Sequence, residues 1–387
     1  MSELPDTDSS RPLRGTTPEV VRSALETGDP FPGTGGYAGW VDDVLVRDVL
    51  GRVPLFVEEA VLAGDRPCVP ATTAFRPADL ESPVSFPAGH ALRTAGSPQK
   101  QTPKPVWSLP DPAPVTDHDA ALEELDDAIR TGVEALAAST HDGGVAVAFS
   151  GGVDSALVAE LLEAPLYVVG FPGSHDVEAA RTAADAMGRD VTVVELEPAD
   201  LERATPIVAE AIGRTNAMDV QIALPFYLVA ERIVADGFEY VAVGQGADEL
   251  FGGYEKVIHL DHRVEAETVR GAVREQILTL PDQLPRDVLA VEAAGATPAA
   301  PLLHDSVVEA ALSLPAPLLA DDEERKRALR SVAARYLPES IACRDKKAAQ
   351  YGSLVARELD RLARQAGYKR RMDDHVTKYV ASLHDAQ

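Results

Sequence analysis

Cysteine is nearly absent. Cys68 and Cys343 are the only two in 387 residues, too few for a disulfide framework and too far apart for the close spacing of a zinc site. Long apolar runs are missing as well: no stretch approaches the roughly 18 to 20 uninterrupted apolar residues of a membrane span. The opening MSELPDTDSSRPLRG has no apolar core of the kind a signal peptide carries. The expectation is a soluble cytoplasmic protein with no membrane partner.

Lysine is scarce. Eight lysines (Lys100, Lys104, Lys256, Lys326, Lys346, Lys347, Lys369 and Lys378) stand among 36 basic residues, against 62 acidic ones, for a formal net charge of −26. Such a field repels nucleic acid, whose binding needs Lys and Arg to neutralise phosphates, so no nucleic-acid partner is expected. The carboxylates run along the whole chain and are not gathered in an acidic tail, which reads as a solvated, salt-screened surface. This pattern is similar to that of halophilic, salt-accumulating archaeal proteins.

What is present suffices for a packed core: 45% of the residues are hydrophobic, and the length allows two domains. Residues 1–34 are rich in Pro, Gly, Thr and Asp and read as a flexible N-terminal segment. Residues 35–93 carry short apolar runs between turn signals (YAGWVDD, VLVRDVLG, VPLFVEE), the texture of β-strands and hairpins. Residues 94–116, dense in proline, read as an extended connector. From 117 to 387 strands and helices alternate. Leu122, Leu125, Ile129, Val133 and Leu136 mark one helical face, and VAVAF (145–149), LYVVG (166–170), VTVVEL (191–196) and YVAVG (240–244) read as strands. Helices are expected between them, around 175–187, 201–213 and 220–235. That alternation predicts an α/β fold with a parallel sheet, followed from about residue 256 by an all-helical portion.

Two motifs carry chemistry. Ser150-Gly151-Gly152-Val153-Asp154-Ser155 sits between a buried strand and a helix. Its glycines let the backbone approach a ligand, and the free N–H groups of the following helix start attract phosphate. Ser150 and Ser155 add hydroxyl donors. Asp154 would repel phosphate unless it holds a Mg2+ that bridges phosphate oxygens. The motif lacks the Gly-Lys-Ser/Thr of a Walker loop, so it reads as a pyrophosphate loop for ATP. Gly244-Gln245-Gly246-Ala247-Asp248-Glu249-Leu250-Phe251-Gly252-Gly253-Tyr254 follows the strand YVAVG. Ligands of open parallel sheets collect at the C-terminal strand ends, so both motifs can face one nucleotide, with Asp248 as a second carboxylate for the same Mg2+.

SGGVDS followed by GQGADELFGGY resembles the synthetase domain of asparagine synthetases and their β-lactam-synthetase relatives. The agreement runs through Leu284-Pro285-Arg286-Asp287, Pro301-Leu302-Leu303-His304-Asp305 and the Lys326-to-Lys346 region, covering about residues 118–355. The resemblance implies an ATP-pyrophosphatase (adenine nucleotide alpha hydrolase-like) fold. It also implies adenylation of a carboxylate with Mg-ATP, release of pyrophosphate, and attack of an amine on the acyl-adenylate. Carried over, Ser150, Gly151, Gly152, Asp154 and Ser155 form the pyrophosphate loop, with Gly244 and Gly246 close to the nucleotide. Asp154 and Asp248 hold Mg2+. Arg344-Asp345-Lys346 matches the family's Arg-x-Lys, whose lysine neutralises phosphate charge; Lys347 beside it leaves open which lysine acts. The expected substrates are a small-molecule carboxylate, aspartate first, and ammonia; a homodimer fits the family.

The chain departs from the family in three places. Gln245 stands where glutamine-dependent members commonly have Glu, so it can hydrogen-bond an amine but not take its proton. Thr297 and Ala299 fall where the family has Glu-x-Arg, with Glu292 nearby but out of register. Residues 35–58 (Arg47-Asp48, Leu50-Gly51-Arg52) and FPAGHAL (86–92) resemble the closing part of a class II glutamine amidotransferase domain, yet the chain begins Met1-Ser2 without that domain's N-terminal cysteine. A truncated remnant without glutaminase activity is expected, with ammonia either free or delivered by a separate glutaminase. Another acid or amine, or a catalytically silent ATP-binding regulator, remains an alternative reading.

Overall fold

The computed structural model describes residues 12–94, 102–140, 144–258, 263–321, 324–344 and 354–385. The chain divides into two compact units, Met1–Pro110 and Asp111–Gln387.

The first unit is antiparallel. Strands β1 (Leu13–Arg14), β2 (Ala38–Val41), β3 (Val44–Arg47), β7 (His90–Arg93) and β8 (Lys104–Pro105) form one sheet in that order. Strands β4 (Phe56–Glu58), β5 (Thr73–Ala74) and β6 (Pro83–Ser85) form a second, and the short helix α2 (Glu59–Leu62) follows β4. Trp40, Leu45, Leu55, Val57, Phe86 and Leu92 fill its core together with Cys68. Arg47, also buried, donates to Phe86 O (2.7 Å), Ser85 Oγ (2.8 Å), Gly51 O (2.8 Å) and Val53 O (3.1 Å). Asp48 is paired with Arg52 at 2.9 Å and also accepts from the Leu50 and Arg52 amides. Arg47, Asp48 and Arg52 therefore brace the loop after β3.

Helix α1 (Pro18–Thr27) lies inside the segment that composition marks as loose. Its Pro18 opens the helix and Gly28 closes it at φ 74°, so the residues that suggested flexibility are the punctuation of a helix. Within the proline-rich 94–116 stretch, residues 104–105 pair with β7, and the first unit extends to Pro110.

The second unit begins with helix α3 (His118–Ser139), capped by Asp117, whose carboxylate accepts from the Asp119 and Ala120 amides. Then β9 (Val145–Ala148), α4 (Val153–Leu162), β10 (Leu166–Gly170), α5 (His175–Met187), β11 (Val191–Glu195), α6 (Pro198–Ile212), α7 (Ala217–Ala235) and β12 (Tyr240–Ala242) alternate as the apolar runs predict. Short helices α8 (Ala247–Leu250) and α9 (Glu255–Ile258) precede α10 (Val269–Ile277) and α11 (Leu280–Ala293). Strand β13 (Thr297–Ala299), a 3-10 turn at Pro301–Leu303, and helices α12 (Asp305–Leu312), α13 (Ala316–Leu319), α14 (Arg327–Ala333), α15 (Glu339–Ala342), α16 (Val355–Gln365) and α17 (His375–His384) complete the unit. No helix among the described residues is long and apolar enough to cross a membrane.

The sheet order is β11-β10-β9-β12-β13, and every pairing is parallel. The chain starts at the centre with β9, works outward through β10 and β11, then returns to β12 on the other side. The strand order therefore reverses between β9 and β12, whose register pairs Val145 with Tyr240 and Val147 with Ala242. Strand β13 corrects the expectation that strands end near residue 256. Three residues of Thr, Pro and Ala carry no alternating apolar pattern, and pairing with β12 alone makes them a strand.

Helices α16 and α17 are clamped through Asp360, which accepts from Arg370 (2.7 Å), His375 (2.8 Å) and Arg364 (3.1 Å). The Arg370 guanidinium holds the Asp360 carboxyl well below its ordinary range against the opposing effect of burial, with His375 and Arg364 assisting. A depressed carboxyl stabilises the fold at neutral pH and loses that contribution as pH falls below about 4. The Asp360→Asn variant should therefore lose about 1 kcal/mol at pH 7 by urea denaturation, with the deficit shrinking in acid. An undiminished deficit at pH 3 would contradict this account.

Candidate active site

The pyrophosphate-type loop leaves the C-terminal end of β9, and the second glycine motif leaves that of β12, the two strands that flank the reversal in order. In such sheets this crevice is where ligands bind. Gly151 lies at φ 71°, and a Cβ there would stand 2.6 Å from the Ala179 carbonyl oxygen, so only glycine lets the loop pass under α5. Gly152 caps α4, which places Asp154 and Ser155 in its first turn with the helix's free amides. Ser150 and Ser155 close the loop: their hydroxyls lie 3.1 Å apart, and Ser155 Oγ accepts from the Ser150 amide at 3.2 Å.

Gly244 packs directly on this helix start. A Cβ at Gly244 would approach Ser155 N to 2.7 Å and Asp154 C to 2.8 Å. Gly246, at φ 90°, fits against Leu303. The two motifs, about ninety residues apart in sequence, thus touch backbone to backbone.

Their carboxylates share one cation. Lys326 Nζ lies 2.7 Å from Asp154 Oδ2 and 2.7 Å from Asp248 Oδ1. The Lys326 side chain is 9% exposed. Burial works against its charge, but the two aspartates outweigh it and hold the ammonium above its ordinary range. Lys326 also sits at φ 57°, an unfavourable backbone for a side chain of this size, kept where the surroundings over-determine it. Gly253 leaves the space: a Cβ there would fall within 1.9 Å of Asp248 Oδ1 and 2.6 Å of Lys326 Cε. Sequence reasoning placed Lys326 only within a matching region. Its rarity among so few lysines was the one local signal, because its partner Asp154 is 172 residues away.

Asp154 Oδ1 is buried with no hydrogen-bond partner among the described residues. No cluster of three or more His, Cys, Asp or Glu gathers there among the described residues. Lys326 takes the point between Asp154 Oδ2 and Asp248 Oδ1, and the unpartnered Asp154 Oδ1 beside it is a hard donor that fits Mg2+, which takes one or two protein carboxylates and completes its shell from phosphates and water.

The remaining predicted residues take other places. Arg344 donates to the Ala179 carbonyl at 3.1 Å, bracing the stretch of α5 that lies over Gly151, and Arg330 in turn donates to the carbonyls of Ala342 (3.0 Å) and Arg344 (3.1 Å). Lys346 and Lys347 lie outside the described residues. Gln245 is half-buried and donates through Nε2 to Asp287 Oδ2. Asp287 receives Arg286 in a two-bond pair, Nε at 2.6 Å and Nη2 at 3.0 Å. Burial pushes the Asp287 carboxyl up while the guanidinium opposes it. Three donors, two from Arg286 and one from Gln245, converge on the two Asp287 oxygens, so the group acts as an acceptor in every one of these contacts. Glu249, beside Asp248, is buried and accepts from Tyr254 Oη at 2.5 Å. Thr297 and Ala299 form β13, next to β12.

The asparagine synthase family model matches residues 124–289 and 270–383, together most of the second unit and more than half of the chain. This chain belongs to the asparagine synthase family. A protein of Methanocaldococcus jannaschii assigned by name as a glutamine-hydrolyzing asparagine synthetase is 30% identical over 297 residues, 67% of this chain and 54% of that one. Asparagine synthetase B (glutamine-hydrolyzing) of Escherichia coli is 24% identical over 60% of this chain and 44% of its own length. The nodule asparagine synthetase of Pisum sativum is 27% identical over 44% of this chain and 31% of its own. The chain thus spans about half the length, or less, of these curated relatives. Among solved structures, NMN synthetase from Francisella tularensis aligns with 70% of this chain and 94% of its own at 12% identity and a TM-score of 0.31, too low to bear on the site. The family member described here has an α/β fold with a five-stranded parallel sheet, a largely helical C-terminal part and a small antiparallel N-terminal unit.

Proposed function

We propose that this protein is an ATP-dependent amide-forming ligase: it adenylates a carboxylate, aspartate in the first instance, with release of pyrophosphate, and passes the acyl group to ammonia with release of AMP. The observation that supports this most is the single ammonium of Lys326, held at 2.7 Å by carboxylates from both glycine motifs. It marks a point where charge of both signs converges at the strand-order reversal, as a pyrophosphate leaving group with its counter-cation requires.

In this reading the α4 amides, with the hydroxyls of Ser150 and Ser155, cradle the β- and γ-phosphates while Gly151 and Gly152 keep the backbone close. Mg2+ bound to Asp154 and Asp248 would neutralise phosphate charge as the bond to the α-phosphorus breaks. Lys326, with Lys346 or Lys347, offers further positive charge to the departing pyrophosphate. The substrate carboxylate oxygen attacks the α-phosphorus and pyrophosphate leaves. The amine nitrogen then attacks the acyl carbon, and AMP departs with the electron pair of the broken acyl–oxygen bond. Arg344 acts as a positioning residue through α5.

Residues 35–93 we read as glutaminase-like in sequence, with Cys68, the one cysteine among them, not serving as a nucleophile. The Cys68 thiol supports this: burial pushes it up to about 12, so it stays protonated and unreactive. Ammonia would come free or from a separate glutaminase. A second reading keeps the adenylation and changes the acid, since β13 carries no charged side chain where the family has Glu-x-Arg.

The test is carboxylate-dependent ATP–pyrophosphate exchange in high salt. Aspartate-dependent exchange, with asparagine and AMP formed once ammonium is added, is the expected result. Exchange with a different acid alone would support the second reading. ATP binding without exchange across a broad acid panel would overturn both and leave a regulatory ATP-binding role.

A further inference from the structure

Position 245 stands between the two halves of the site, with Gly244 against Asp154 and Ser155 and Gly246 against Leu303. An amide there has two different ends, and only its oxygen can accept a hydrogen bond from an incoming N–H group. Which end faces outward is decided by its neighbour. Gln245 Nε2 is bound to Asp287 Oδ2. Asp287 is itself anchored by Arg286, whose Nη1 reaches Asp219 Oδ1 at 3.2 Å. Asp219 in turn accepts from Arg214 Nη1 at 3.2 Å and Asn216 Nδ2 at 2.7 Å, so the chain of contacts is fastened at the turn between α6 and α7. Both Asp287 oxygens accept from Arg286, and the amide meets Oδ2 through its nitrogen, the end that can donate. Gln245 Oε1 must then point away from Asp287.

We propose that Asp287 is a positioning residue for nitrogen transfer: by holding Gln245 Nε2, it fixes Gln245 Oε1 as the hydrogen-bond acceptor for the attacking amine. This rests on the amide-ligase reading above. Neither member of the pair takes a proton. The nucleophile therefore enters as the neutral base, one N–H donating to Oε1 while its lone pair forms the bond to the acyl carbon. AMP leaves with the electrons of the broken acyl–oxygen bond, and the surplus proton on nitrogen passes to water. The substrate class implied is a small uncharged amine, ammonia foremost, and rate at subsaturating ammonium should follow the free-base fraction as pH rises.

The experiment measures, on the full chain, pyrophosphate exchange and ammonia-dependent amide formation separately, and reports their ratio. Asp287→Asn can turn either end of its amide toward Gln245; it frees the orientation and should lower the ratio about fivefold, seen as a higher KM for ammonium. Gln245→Glu sets two carboxylates face to face and should lower it further. Combining Gln245→Glu with Asp287→Asn restores a donor–acceptor pair in the opposite sense; the ratio should recover to within a few-fold of native, with the ammonium pH profile moved to lower pH because a carboxylate can take the proton. A double variant no better than the worse single, or an unchanged ratio in Asp287→Asn, would overturn the proposal. Should Asp287→Asn fail to fold, Gln245→Met, which keeps the Asp287–Arg286 pair, decides: an unchanged KM for ammonium overturns the proposal and a raised one supports it. Absence of exchange in the native protein would instead sink the ligase reading itself, so the two failures are distinguishable.

Discussion

Lys326→Met should lower carboxylate-dependent ATP–pyrophosphate exchange by about 10²- to 10³-fold, the usual loss when one fixed charge facing a developing anion is removed. The same change should alter stability in a way that depends on Mg2+. In the native protein the Lys326 ammonium sits 2.7 Å from both Asp154 and Asp248 and spares them mutual repulsion. Methionine fills much of the stem volume but leaves two carboxylates facing one another. Removing one partner of a buried ion pair costs about 3–5 kcal/mol. Asp248 is 49% exposed, so solvent screens part of this, and about 2 kcal/mol is the expected loss without metal. Millimolar Mg2+ should raise the melting temperature of the variant more than that of the native protein, because the metal replaces a cation that the native chain supplies itself. Native-level exchange by Lys326→Met, or equal Mg2+ responses of the two proteins, would show that the lysine is a structural counter-ion away from the phosphates.

The sequence makes the frame of this site legible because its signals are local. VAVAF, LYVVG and YVAVG are short apolar strands, and the glycine motifs follow two of them at once. The parallel order can be inferred from the strand–helix alternation, but that β9 and β12 are neighbours cannot, since no local pattern specifies which strands pair. That adjacency is what brings Gly244 onto the start of α4. Long-range polar contacts were equally hidden. Lys326 looks like one more charge in EERKRALR, and the Asp287 carboxylate was visible only as part of a motif, with nothing to link it to Gln245, 42 residues earlier. Two elements escaped for the opposite reason, local signals that mislead. The proline and glycine around α1 resemble those of a loose terminus, and β13 is a strand only by virtue of its neighbour.

Gly244→Ala should damage activity severely for a change of one methyl group, although its backbone needs no glycine-only φ. The clash is with main chain: the new Cβ would lie 2.7 Å from Ser155 N and 2.8 Å from both Asp154 C and Asp154 Cβ. A flexible side-chain end could swing aside, but the backbone of Ser155 and Asp154 cannot. Here the first turn of α4 and the end of β12 must separate by several tenths of an ångström. Overpacking of this kind costs about 1–3 kcal/mol, which a fold of this size should tolerate. Catalysis should not tolerate it, because the separation moves Asp154 and Asp248 away from their common cation position, and a displacement of order 1 Å at a reacting centre can cost ~10²-fold in rate. The expected result is a folded variant, slightly less stable in urea, with exchange reduced about a hundredfold and weakened Mg2+ dependence. Near-native exchange would mean that the two glycine motifs do not need to meet for adenylation and do not form one shared site.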